Sequence, residues 1–225
     1  MLVLVVDSST PAVTAALVEI TTDGVAPRAQ RQTVDARAHG ELLAPQVDAV
    51  LAEAGARPTD LTAIVAGLGP GPFTGLRVGL VTAATMGQVL GIPTYGVCSL
   101  DAFGRATAGA GRVLAASDAR RREIYWAVYD TSGERLAGPN VDTPAAAAEQ
   151  AAELSVDVAV GEGAQRYVAQ LDLPLLAEPG YPPAYALAEL AAERVLAGAP
   201  GERLTPLYLR RPDAVAASTR KPVLP

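Results

Sequence analysis

Two apolar runs, Leu2–Val6 and Leu61–Ala66, are short, unbroken and flanked by turn residues, the pattern of strands buried on both faces. Val13–Ile20 follows the first run across Asp7-Ser-Ser-Thr-Pro11, a turn by composition, so the two predict a hairpin. Gln30–Val34 reads as a weaker third strand. From His39 to Ala54 the period lengthens. Leu43, Val47, Val50, Leu51 and Ala54 share one helical face, and Gly55 and Pro58 stop the helix. Thr74–Leu90 predicts a second helix and Ile92–Val97 the strand after it.

The first 100 residues therefore run β-β-β-α-β-α-β. That hairpin-then-crossover order is the order of an actin-like, ribonuclease-H-like lobe. In the second half, Arg112–Ser117 and Glu123–Tyr129 predict paired strands joined by Asp118-Ala-Arg-Arg-Arg122. Pro144–Leu154, Glu162–Gln170 and Pro183–Leu196 predict helices, and Val156–Val160 a strand. Beyond Pro206 the chain reads as an extended, proline-rich tail. The expected architecture is α/β and two-lobed, with mixed sheets flanked by helices. Residues 1–100 form the first lobe. Residues 101–225 form a smaller second lobe, whose C-terminal helix and tail pack back on the first. No tandem repeat is visible.

The stretch Gly67-Leu-Gly-Pro-Gly-Pro-Phe-Thr-Gly-Leu-Arg77 changes the picture from fold to chemistry. Glycines let backbone approach closely, and a glycine-rich turn entering a helix can cradle an anion. Asp7, Gly69, Gly71 and Gly75 are the candidate nucleotide or phosphate positions. The loop is not a Walker A motif, because no Gly-Lys-Ser/Thr follows. A tight strand-to-helix connection is the competing reading.

The helix after the loop carries no charge beyond Arg77, and it is apolar on nearly every side. Such a helix needs cover all round. Gly75, Gly79, Ala83 and Gly87 recur every four residues as a smooth row for a close neighbour. That neighbour is either the His39–Ala54 helix or a second chain. In the second case Leu42, Leu76, Gly79, Leu80, Ala83, Met86 and Gly87 form the partner interface, on a scale of ~800 Å2 per partner. Replacing Ala83 by Glu is then expected to break association and spare the monomer.

Half of the 225 residues are hydrophobic, enough for a globular core, while the net charge is −6 and the isoelectric point about 4.9. An acidic chain gains little from phosphate attraction, so RNA would be met through a partner. One cysteine, Cys98, excludes an internal disulfide. With one histidine, His39, a zinc site of several Cys and His ligands is not expected. His39 begins a helix and reads as part of its cap. A Ser-His-Asp set has nothing in the sequence to assemble it, and the one lysine, Lys221, lies in the tail. Arg120, Arg121 and Arg122 read as a solvated charge run or as a contact for phosphates or a partner's carboxylates. Tyr125, Trp126 and Tyr129 read as packing residues. No basic leader precedes the first apolar run, and no stretch reads as a membrane span, so a cytoplasmic chain is expected.

The same stretches resemble the TsaB (YeaZ) family, the actin-like subunit of bacterial threonylcarbamoyladenosine synthesis. The resemblance rests on Leu4-Val-Val-Asp7-Ser-Ser9, His39-Gly-Glu-Leu-Leu-Ala-Pro45, Gly69-Pro-Gly-Pro-Phe-Thr-Gly-Leu-Arg77, Asp118-Ala-Arg120 with Glu123-Ile-Tyr125, and Pro206-Leu-Tyr-Leu-Arg210. It implies a non-catalytic subunit that pairs with a catalytic TsaD-type sibling and acts beside a TsaE-type ATPase. It implies contact with tRNA through the complex. No cofactor is expected, with nucleotide binding at a shared interface left open, and the apolar helix surface predicts homodimers when the partner is absent. The sibling's His-x-x-x-His metal pair is not carried over, since a second histidine is missing. An ATPase or small-molecule kinase using Asp7 and the glycine-rich loop is the alternative. Gly40 and Pro72 stand where the family has serine. The first removes a capping hydroxyl worth about 1 kcal/mol, and the second removes an N–H donor from the loop.

Overall fold

The computed structural model describes residues 1–210. Lys221 and the rest of the extended run suggested beyond Arg210 lie outside the described residues.

Strands β1 (Leu2–Asp7), β2 (Ala12–Thr21) and β3 (Gly24–Val34) form an antiparallel meander. Helix α1 (His39–Glu53) then crosses to β4 (Ala63–Gly67), parallel to β1. Helix α2 (Phe73–Leu90) crosses again to β5 (Thr94–Val97), giving a sheet ordered β3-β2-β1-β4-β5. Strand side chains alternate between faces, and here both faces are covered. Val3, Val5, Val18 and Val65 pack under α7 (Ala184–Leu196), whereas Leu4, Val6, Leu17 and Ile64 pack under α1 and α2. Two-sided burial is why β1 and β4 contain no polar alternation.

The second sheet is ordered β8-β7-β6-β9, built from β6 (Val113–Asp118), β7 (Ile124–Tyr129), β8 (Arg135–Asp142) and β9 (Val158–Val160). Its strands β6, β7 and β8 are antiparallel, and β9 lies parallel to β6 after helix α4 (Pro144–Glu153). This repeats the β1-β2-β3-α1-β4 path of the first sheet, a topological duplication that the sequence does not announce. Phe103, from α3 (Asp101–Ala106), covers one face. Residues of α4, α5 (Glu162–Arg166) and α6 (Val168–Leu171) cover the other. Tyr125, Trp126 and Tyr129 are buried.

Four elements depart from the sequence reading. Strand β3 starts six residues early, because a two-residue Thr22–Asp23 turn sets up pairing that begins at Thr21 and Gly24. Strand β8 and helix α3 were not expected. The Glu162–Gln170 helix is broken at Tyr167, whose backbone leaves the helical region. The C-terminal helix α7 lies on the first sheet. It is held there by Tyr95 Oη donating to Ala199 O (2.6 Å) and by Arg194 donating to Gly96 O of β5 (3.2 Å). No helix among the described residues is long and apolar enough to cross a membrane.

Candidate functional site

The turn between β1 and β2 is consumed by the chain itself. Asp7 is buried and accepts from Ser9 N–H (3.0 Å), Ser9 Oγ (2.8 Å) and Ser99 Oγ (2.5 Å). Burial pushes its carboxyl above the ordinary aspartate range, and these donors work in the other direction. Ser8 Oγ donates to Gly75 O (2.8 Å) and accepts from Gly79 N–H (2.9 Å). One hydroxyl thus bridges an i, i+4 pair of α2 and fastens the turn to the helix. A side chain on Gly79 would put Cβ 2.5 Å from that oxygen, which is why glycine stands there.

The other glycines are used in the same way. A Cβ on Gly71 would lie 2.1 Å from Ser9 O, and one on Gly75 would lie 3.1 Å from His39 Nε2. Gly69, at φ +88°, donates to Ser99 Oγ (3.1 Å). The close approach is between strand and helix, so the tight-connection reading describes Gly69, Gly71 and Gly75. His39 is not a cap. Ala38 holds the N-cap position without a side-chain bond, and Gly40 lies inside the helix. His39 is buried, and its Nε2 meets Thr10 O at 2.8 Å; a carbonyl only accepts, so Nε2 carries the proton.

The small-residue row of α2 faces inward, which corrects the partner interface expected from the sequence. Leu76, Gly79, Leu80, Ala83 and Gly87 are buried within the chain, and Leu42 and Met86 are half-buried against the same core. Gly87 closes on Thr94, with a built Cβ only 2.5 Å away. A glutamate at Ala83 would place its charge in this core, so it does not test association in an intact monomer. The outer face is a different set. Val81 is 62% exposed and Val89 78% exposed, with Ala84, Thr85 and Gln88 around them.

A cleft of about 770 Å3 opens where the two lobes meet. Ser8, Thr10 and the first turn of α2 form one wall. Arg37 lies beside them, and Arg120, Arg121 and Arg166 come from the far side. Four arginines face one carboxylate, Asp118, which pairs with Arg166 (3.1 Å). Asp7 is not in the lining. Arg120, Arg121 and Arg122 hold φ of 61°, 54° and 63°, left-handed backbone that non-glycine residues seldom adopt. Asp118 N–H donates to Glu162 Oε1 (2.9 Å), and burial pushes the Glu162 carboxyl up to about 7.

A second groove of about 640 Å3 lies on the other side of the same arginine turn. Phe73 and Tyr208 stack there with centroids 5.3 Å apart. The Arg77 guanidinium sits 3.8 Å from the Phe73 centroid and donates through Nε to Tyr208 Oη (2.8 Å). The Pro206–Arg210 segment is a tie between lobes. Leu207 N–H donates to Leu68 O (2.8 Å), and Arg210 donates to Ala119 O (3.1 Å) and pairs with Glu123. Neither this segment nor Arg37 and Arg166 was singled out as lining a site. Only the fold brings them beside the arginine turn. Among the described residues, no group of three or more His, Cys, Asp or Glu side chains gathers as a metal site. Burial pushes the Cys98 thiol up to about 12.

Compared with known families, residues 15–213 match TsaD, tRNA N6-adenosine threonylcarbamoyltransferase. An uncharacterised protein of Mycobacterium tuberculosis is 48% identical over 212 residues, which is 94% of this chain and 93% of that one. The tRNA threonylcarbamoyladenosine biosynthesis protein TsaB of Escherichia coli is 40% identical over 96 residues, 41% of this chain and 42% of that protein. Among solved structures, YeaZ from Pseudomonas aeruginosa aligns with a TM-score of 0.71 at 29% identity, over 92% of this chain and 99% of that one.

Proposed function

We infer the function from one premise: the chain belongs to the tRNA N6-adenosine threonylcarbamoyltransferase family, as a TsaB/YeaZ-type member with an actin-like fold. On that premise we propose that it takes part in threonylcarbamoyladenosine synthesis at position 37 of tRNA. In that pathway it serves as the non-catalytic partner that binds and supports a TsaD-type subunit, beside a TsaE-type ATPase. The working compartment is the cytoplasm.

The observation that carries this reading is the outer face of α2. Val81 and Val89 stand in solvent on a helix without charge after Arg77. Exposed apolar surface on a helix otherwise seated in a core is the kind of patch that a second chain covers. With the partner missing, two copies of this chain cover it for each other.

Sedimentation velocity of the purified chain mixed with the TsaD-type protein of its host tests this. The wild type is expected to run as a complex. Val81→Glu and Val89→Glu are expected to run as free subunits with unchanged melting, since surface substitutions move stability by no more than about 0.5 kcal/mol. Complexes that form undiminished with both variants would remove this face from the proposal.

A further inference from the structure

We propose that the two grooves flanking the Arg120–Arg122 turn form a direct binding site for single-stranded RNA. This deepens the partner-subunit reading and rests on it for the nature of the ligand. In that reading the chain met tRNA only through its partner; here it holds the RNA itself.

Three observations converge. First, the chain is acidic overall, yet Arg37, Arg120, Arg121 and Arg166 all line one cleft. Charge concentrated against the net sign of a protein marks where a polyanion is met. Second, the arginine turn lines both grooves, together with Pro72 and Phe73. A mononucleotide fills one groove of about 770 Å3; a strand that rounds the turn uses both. Third, the second groove carries the half-exposed Phe73 and Tyr208 under Arg77. Aromatic faces and guanidinium planes are the surfaces on which unstacked bases sit, and single-stranded loops are where RNA presents such bases. Phosphates at the arginine turn and a base on the Phe73–Tyr208 stack account for both grooves with one ligand.

The backbone adds to this. Left-handed backbone at three consecutive arginines costs about 1–2 kcal/mol for each residue. Glycine would hold the same turn without that cost, so the side chains themselves have a use. They are held out by Arg210, which grips the turn at Ala119 and Glu123.

Fluorescence anisotropy tests the site, with a labelled RNA hairpin bearing an open loop and a blunt RNA duplex as comparison. The hairpin is expected to bind the full 225-residue chain more tightly than the duplex, with a salt slope near −2 from about three neutralised phosphates. Arg120→Glu is expected to weaken hairpin binding about tenfold and to flatten the slope by roughly 0.7 for the lost contact. Phe73→Ala is expected to weaken it about tenfold with the slope unchanged, because stacking is not ionic. If Arg120→Glu melts early, Arg37→Glu from the opposite wall supplies the same readout. Equal affinity for hairpin and duplex, or variants that bind like wild type, overturns the site. So does ATP binding one-to-one and displacing the hairpin, which would make this a mononucleotide pocket. Val81→Glu, which lies outside both grooves, is measured alongside and is expected to lose the partner and keep the hairpin. Arg120→Glu is expected to lose the hairpin and keep the partner. The two losses separate this inference from the partner-subunit reading.

Discussion

The two lobes place a turn at the same point of the same path, and they use it in opposite ways. Asp7 closes β1 as Asp118 closes β6, and each strand then hairpins into the next. In the first lobe the turn is Ser8-Ser-Thr-Pro11; Ser8 Oγ is spent inward on Gly75 and Gly79, and Ser9 joins Ser99 on the Asp7 carboxylate. In the second it is Ala119-Arg-Arg-Arg-Glu123, with all three arginines exposed. Small hydroxyls allow α2 to come close enough for its glycines to touch strand and turn. Long cations forbid such an approach, and only the short α5 follows β9 in the second lobe. A repeated topology thus carries one turn that acts as a fastener and one that acts as a surface.

Removing the two closing carboxylates is the strongest way to break this comparison. Asp7→Ala leaves the hydroxyls of Ser9 and Ser99 and the Ser9 N–H without their acceptor in a dry site. Unfolding in urea is expected to show a loss of about 3 kcal/mol. Asp118→Ala removes one ion pair, whose partner Arg166 is 62% exposed, and a long Tyr167 Oη hydrogen bond (3.4 Å), and a loss of about 1 kcal/mol is expected. Equal losses would mean that both turns are structural and that the second lobe has no surface to spare.

Glu162 sharpens the second half of the comparison with a smaller effect. Its folded-state pKa is raised from 4.5 to about 7 by burial beside the arginine turn. A raised carboxyl contributes stability that is complete below its unfolded pKa and lost as pH climbs through the folded one. The wild type is therefore expected to weaken between pH 4.5 and 7 relative to Glu162→Gln. Part of the group reaches solvent, so the difference across the window is roughly 2 kcal/mol. Gln keeps the acceptor for the Asp118 N–H, so a thermal-melt series against pH isolates the charge. Parallel curves for the two proteins would show that Glu162 ionises freely.

Much of this was legible in the sequence because periodicity carries it. The runs that became β1 and β4 are apolar throughout since both of their faces are buried, and the stripe on α1 meets the sheet as its spacing requires. Strand β8 could not be read. It is an edge strand holding Gly138-Pro139, and only pairing with β7 makes it a strand. On α2 the small-residue row was visible, but a helix apolar on all sides gives no sign of which side faces home. Ser8 decides that at Gly79, and it lies 71 residues away in sequence. The arginine turn was legible as a charge run or a contact for phosphates, but not as the wall of two grooves, because Arg37, Arg166 and Tyr208 reach it only through the fold.

The smallest expected effect separates strain from function at one residue. Arg120 sits at φ 61° and is exposed, so its side chain adds little to the core. Glycine there removes the left-handed penalty of about 1–2 kcal/mol, while its extra freedom in the unfolded chain costs back about 0.5–1 kcal/mol. Arg120→Gly is thus expected to raise stability by about 0.5 kcal/mol, read as a higher melting temperature, while hairpin-RNA affinity falls. A fastener cannot behave in this way, since a residue that holds the fold together loses stability when it is truncated. A variant that melts earlier than wild type would place Arg120 among the structural residues and make the two turns alike.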